Sequence, residues 1–388
     1  MQIDGDFPGG NILVDGLEGD QARLRQDLRD TDGSWFYWSF RVRDLSTHAG
    51  RPLRFQFTTG NVIGTRGPCV SLDAGRSWNW LGAAALRENG FEFTVPAGIA
   101  PSAELRFSQN WPYLQADFER FLATLPTSDH WRVDSLCQDR AGRVVERLRV
   151  GNLRAEKGPD APLAAPACVL LTARHHCCES TPNFTLEGFV LAALEDTPAG
   201  RWFRENVEAW ILPFMDKDGV EQGDQGKNRH PHDHNRDYAP TARLYPSVRA
   251  LCEQVPVWAN SRLRASIDLH CPVLRGEWNE HIYFVGTPDP GNWERIGEFS
   301  RILESVQAGP LPFQAAGNLA FGAAWNTFND PALVTHSRWA QTVPGVKLAA
   351  TVEIPYANVR DITVTPDAAA AFGRDLFHAL RAWLPATL

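Results

Sequence analysis

Residues 167–180, Ala167-Cys-Val-Leu-Leu-Thr-Ala-Arg-His-His-Cys-Cys-Glu-Ser180, join two kinds of sequence. Within it Cys168–Ala173 is apolar or β-branched and shows no period-two alternation, which marks a strand covered on both faces. The stretch that follows packs two histidines, two cysteines and a glutamate into five positions. A run that ends in metal-type residues places a ligand set at the carboxyl edge of a sheet, where open α/β folds build their sites.

Working outward, similar buried runs recur at Val207–Met215, Ala265–Leu269 and Val346–Ile354. Val133–Leu136 and Val144–Val150 flank the turn Asp139-Arg-Ala-Gly142 as a hairpin. Amphipathic stretches fall at 184–195, 241–255 and 291–307. A last helix opens at Thr365-Pro366, a cap followed by proline in the first turn, and runs to about Trp383. Alternating strands and helices predict an α/β domain with a parallel or mixed sheet flanked by helices, over residues 126–388.

Residues 1–125 have a different pattern. Ser34–Arg43, Leu53–Phe57 and Phe91–Val95 are aromatic or β-branched, with Gly, Pro and Asp between them, which predicts an antiparallel β-sandwich. Trp35, Trp38, Trp78, Trp80 and Trp111 are read mainly as its core. The link is placed at Thr124–Asp129.

The 388 residues fit two domains, and 43% hydrophobic with 22% charged residues is a globular composition. A net charge of −8 disfavours nucleic acid as a partner. No window reaches the roughly 20 apolar residues of a membrane span. The first ten residues lack a secretory pattern, and the seven cysteines show no framework spacing, so reduced thiols in a cytoplasmic protein are expected.

His176-Cys-Cys-Glu179 together with His270, straight after Ala265–Leu269, offers two imidazoles and one carboxylate. Such a set holds one zinc ion per chain and leaves a position for water, whose pKa falls to about 7. His175, Cys177 and Cys178 are read as neighbours. The adjacent Asn235-Arg236 pair suits a carboxylate, through a guanidinium fork plus an amide. Glu353, a lone acid ending an apolar strand, is costly to bury without a task and is the candidate general base. His230, His232 and His234 would share one face of an extended segment and invite a separate metal-site reading.

Taken together, these pieces resemble the zinc metallocarboxypeptidases, and more narrowly their cytosolic-carboxypeptidase-like branch. Arg174-His-His176-Cys-Cys-Glu179 is similar to that family's Arg-x-His-x-x-Glu. Asp216-Lys-Asp-Gly-Val220 is similar to its Pro-Asp-Gly turn, with Asp216 where Asn is usual. Asp233-His-Asn235-Arg236 matches Asp-x-Asn-Arg; Asp268-Leu-His270 carries the third ligand and Glu353 the base. The segments Trp35–Leu45 and Arg106–Leu122 resemble the sandwich domain that precedes the catalytic domain in that branch.

The resemblance implies a zinc-dependent carboxypeptidase acting on peptide or protein C-termini. In it His176, Glu179 and His270 bind zinc, Glu353 is the base, and Asn235 and Arg236 hold the substrate's terminal carboxylate. It also implies a cation that polarises the scissile carbonyl. Lys227 and Arg229 are available at an altered spacing, and Arg229 is preferred. A preference for acidic C-terminal residues would need a basic pocket residue, for which Arg338 and then Arg275 are candidates. The tyrosine that many relatives place shortly before the base is missing, since none occurs between Tyr283 and Tyr356. The alternative activity is a zinc-dependent deacylase of small N-acyl amino acids, and a non-catalytic binding protein is a third reading. The oligomeric state is left open.

Overall fold

A computed structural model describes residues 1–100, 102–153, 165–241 and 243–387. A seven-stranded mixed sheet forms the larger part. Its strand order is Trp131–Gln138, Val144–Gly151, Val207–Leu212, Ala167–Ala173, Leu263–His270, Leu348–Glu353 and Tyr283–Val285. The four central strands, 207–212, 167–173, 263–270 and 348–353, run parallel. All four are buried along their length, apart from the half-buried Arg264, as their lack of alternation requires. The hairpin at one edge and Tyr283–Val285 at the other pair antiparallel.

Helices Thr181–Leu194, Pro290–Val306 and Pro366–Trp383 share one core with that sheet, and Pro246–Ala259 packs in a second cluster with Leu170, Leu212 and Leu263. The Thr365 side chain accepts from the Ala368 amide, so the final helix begins where its cap and proline place it. Thr181–Leu194 and Pro366–Trp383 come together at Gly188 and Gly373. A Cβ on either would strike the backbone carbonyl of Ala370 or Thr185 respectively.

The N-terminal part holds two five-stranded sheets. Pro52–Phe57 alternates strictly between exposed and buried residues, which puts Leu53, Phe55 and Phe57 on the inner face. Trp38 packs there against Phe40, Phe57 and Phe91, so the aromatic density is largely core. One pairing departs from the antiparallel expectation: Gln21–Arg25 lies parallel to Pro52–Phe57. The 26-residue connection between them is long enough to cross the sandwich, which a hairpin is not. Helix Gln115–Thr124 follows these sheets, yet its Phe118 and Phe121 join the core of the seven-stranded sheet.

Candidate active site

The ligand loop begins at Arg174, whose φ of 64° turns the chain sharply off the end of Ala167–Ala173. A left-handed backbone is unfavourable for a residue with a side chain. Here the buried Arg174 guanidinium offsets that cost by donating to the Cys177 carbonyl (2.7 Å), the Tyr113 carbonyl (2.9 Å) and Asn183 Oδ1 (3.0 Å). This clamp folds residues 174–179 back on themselves. Cys177 and Cys178 face inward and are buried, and all seven cysteines are unpaired.

His176, Glu179 and His270 converge. Glu179 Oε1 lies 3.0 Å from His176 Nδ1 and Oε2 lies 2.8 Å from His270 Nδ1, with the two rings 4.9 Å apart. The ligand atoms of all three residues fall within 4.8 Å of one another. Two Nδ1 atoms aimed at one buried carboxylate form a donor set that fits a metal ion with nitrogen and oxygen preference. His270 Nε2 is fixed from behind by Asp268 Oδ2 at 2.6 Å, and Asp233 lies 3.6 Å from His176 Nε2. Carboxylates in this outer position orient ligating imidazoles. Burial alone would raise the Glu179 carboxyl, but Lys227, His176 and His270 hold it well below the ordinary range.

Glu353 ends its strand in direct register with His270 on the neighbouring parallel strand. Its Oε2 is buried and has no hydrogen-bond partner among the described residues. Burial pushes its pKa up to about 7, with His270 pulling it down and Glu179 adding to the rise. A cavity of about 160 Å³ is lined by His176, His270 and Glu353 together with Asn235, Arg236 and Arg338. Asn235 Nδ2 is 3.2 Å from His270 Nε2, and its Oδ1 accepts the His336 amide at 2.9 Å. Arg236 stacks on Phe328, with its guanidinium carbon 4.9 Å from the ring centre.

Not every candidate reaches this cavity. Arg229 lies in a different wall, where its three nitrogens meet Asp30 (3.0 Å), Asp216 (2.8 Å) and Asp224 (2.9 Å). The cation beside the ligand set is Lys227, with Nζ 2.6 Å from Glu179 Oε1 and 4.9 Å from the centre of the Trp35 ring. Arg275 is exposed and donates to Asn61 at 2.8 Å, away from the cavity lining. The histidine run does not converge: His230 is exposed, His232 Nε2 bonds Asp237 at 2.7 Å, and only His234 turns fully inward. His175 is fully buried between Asp268 (2.8 Å) and the Tyr238 hydroxyl (2.6 Å). Asp268 was missed as a partner of the histidines. Its place two residues before His270 on one strand, hence on the same face, was the available signal.

The chain superposes from end to end on a metallo-carboxypeptidase from Burkholderia cenocepacia, with a TM-score of 0.79, 18% identity and 100% of both chains covered. This chain has the metallo-carboxypeptidase fold. A metallo-carboxypeptidase from Pseudomonas aeruginosa, in complex with (2-guanidinoethylmercapto)succinic acid, matches with a TM-score of 0.76 at 19% identity, again over 100% of both chains. A carboxypeptidase A from Helicoverpa armigera shares the fold over 70% of this chain and 71% of its own, at a TM-score of 0.51 and 15% identity. By sequence the chain is similar to cytosolic carboxypeptidase 2 of Xenopus tropicalis, 26% identical over 269 residues (61% of this chain and 27% of that protein). It is also similar to cytosolic carboxypeptidase 2 of Danio rerio, 25% identical over 250 residues (57% and 33%). The chain thus spans about a third or less of the length of these curated relatives. No protein-family model matches it. The resemblance to carboxypeptidases is therefore present in fold and in sequence, and the carboxypeptidase relatives are peptide hydrolases. Among the described residues no helix is long and apolar enough to cross a membrane.

Proposed function

We propose that the protein is a zinc-dependent carboxypeptidase that removes C-terminal residues, with acidic ones preferred, from peptides or proteins. The observation that carries this reading is the convergence of His176, Glu179 and His270 with Glu353, Asn235 and Arg236 around one cavity at the carboxyl ends of adjacent parallel strands. His176, Glu179 and His270 would hold one zinc ion, which when bound supplies a Lewis acid and lowers the pKa of a water to about 7. Glu353, with its Oε2 unpartnered, takes the proton of the attacking water and delivers it to the leaving amine. Asn235 and Arg236 bind the substrate's terminal carboxylate, which confines hydrolysis to the chain end. Lys227, buried against Trp35, replaces Arg229 as the cation that polarises the scissile carbonyl.

Arg338 lines the same cavity and supplies the charge for an acidic side chain. End-to-end similarity to bacterial metallo-carboxypeptidases supports the peptidase reading over the small-molecule deacylase. The relatives named cytosolic support a cytoplasmic location. Turnover of a peptide library with varied C-terminal residues, by wild type and Glu353→Gln after zinc loading, tests the proposal. Release of C-terminal residues by wild type alone is the expected result. Bound zinc without peptide cleavage would overturn it.

A further inference from the structure

A second cavity, of about 570 Å³, lies behind the carboxylates that hold Arg229. Its wall includes Asp139 from the edge hairpin, Asp216 at the end of the strand Val207–Leu212 and its turn, and His234 from the loop that leads into Asn235. All three side chains are buried, and their candidate ligand atoms lie within 4.8 Å of one another.

The His234 ring is stacked on Tyr245, with centres 3.6 Å apart and planes 22° from parallel. It is 1% exposed, yet neither ring nitrogen has a hydrogen-bond partner among the described residues. A buried imidazole ordinarily satisfies at least one nitrogen, and two orphaned ones ask for a ligand. Burial keeps the ring neutral, so a lone pair is available.

The charges point the same way. Arg229 divides its charge among Asp30, Asp216 and Asp224, and Arg29 also pairs with Asp224 at 2.8 Å. Arg143 pairs with Asp218 at 2.8 Å, and Arg140 sits over Tyr245, 4.7 Å from the ring centre. No ion pair to Asp139 is found among the described residues; its carboxylate accepts the backbone amides of Asp218, at 3.3 Å, and Arg140. A buried carboxylate beside two others is stable only when protonated or when a cation joins it.

We infer that Asp139, Asp216 and His234 form a second divalent-cation site, separate from the His176–Glu179–His270 set, which accepts a transition metal of mixed nitrogen and oxygen preference such as Zn²⁺ or Mn²⁺. One imidazole with two carboxylates suits such ions better than Ca²⁺ or Mg²⁺, which take oxygen donors. Asp216 shares its Oδ2 with Arg229, so the cation enters a site already partly neutralised and binds more weakly than at the first set. Occupancy ties the edge hairpin, the Asp216 turn and the Asn235-Arg236 loop to one point.

The test is metal stoichiometry on the full chain, stripped with chelator and titrated with Zn²⁺ and with Mn²⁺ alone, read by calorimetry and by elemental analysis after gel filtration. Wild type is expected to take two equivalents. His234→Ala and the near-isosteric Asp139→Asn should each take one, and His270→Ala should also take one. Crystals of wild type soaked in Mn²⁺ should show anomalous density against His234 and Asp139. One equivalent in wild type with no density at His234, or two equivalents retained by both His234→Ala and Asp139→Asn, overturns the site. Retention of both equivalents by His270→Ala counts against the first metal set instead, so the two readings fail separately.

Discussion

Lys227 Nζ stands 2.6 Å from Glu179 Oε1, while Arg229, two residues further on, has its guanidinium enclosed by Asp30, Asp216 and Asp224. The two cations, alike in sequence terms, therefore have different surroundings, and the proposed function gives them different tasks. Lys227→Gln is expected to lower kcat by about 10²- to 10³-fold, the usual loss when one donor to a developing oxyanion is removed, with the unfolding midpoint nearly unchanged. Arg229→Gln strands buried carboxylates and should cost about 3–5 kcal/mol of stability in urea unfolding. The opposite pattern, a stable Arg229→Gln that is dead and an active Lys227→Gln, would return the polarising role to Arg229.

Specificity should divide between the two arginines of the cavity. Arg236→Ala is expected to raise KM for every peptide, because each substrate carries a terminal carboxylate. Arg338→Ala should lower kcat/KM by about 10- to 100-fold for C-terminal glutamate only, the scale of one lost charge-assisted contact. Equal losses for glutamate and leucine substrates in Arg338→Ala would remove it from the specificity pocket.

Glu187 provides a pH signature unconnected with catalysis. Burial pushes its carboxyl up to about 7, although the Tyr113 hydroxyl bonds Oε1 at 2.7 Å and lowers it. An unfolded glutamate titrates near 4.3. Between those values the folded chain holds the extra proton, so this group's contribution to stability declines as pH rises from about 4 to 7 and then levels off. Glu187→Gln should flatten that part of the profile and be the more stable form at pH 8, by comparison of thermal midpoints across pH. A parallel profile in the variant would show that Glu187 titrates normally.

The contact of Thr181–Leu194 with Pro366–Trp383 relies on hydrogen atoms at Gly188 and Gly373, where a Cβ meets a carbonyl. Gly188→Ala is expected to cost about 1–3 kcal/mol despite its better helix propensity, since overpacking outweighs that gain. A stabilised Gly188→Ala would mean that the helices can move apart at little cost.

Much of this arrangement is legible in the sequence because it is local. The central strands, the i,i+3 spacing of His176 and Glu179, and the Thr365 cap are all short-range signals, and the central strands end within three residues of their expected places, the largest difference being Val207–Leu212 against Val207–Met215. The edge strand Tyr283–Val285 is three residues long and too short to carry a period. Choosing between Lys227 and Arg229 depends on Asp30, about 200 positions away, and nothing near residue 229 records that partner. His230, His232 and His234 point apart because each meets a different neighbour, Asp32, Asp237 and Tyr245 respectively, so their even spacing carried no information about convergence.

The segment that carries Lys227 is held largely by the N-terminal part. Asp30 accepts the amides of Gln225 (3.0 Å) and Gly226 (2.9 Å), Gln225 exchanges two hydrogen bonds of 2.8 Å with the Tyr37 backbone, and Trp35 lies under the ammonium. A fragment beginning near residue 126 would keep every metal ligand and the candidate base, but it would lose the template on which the Lys227 loop is cast. The Lys227 loop thus takes its shape from residues 30–37, nearly 200 positions earlier in the chain.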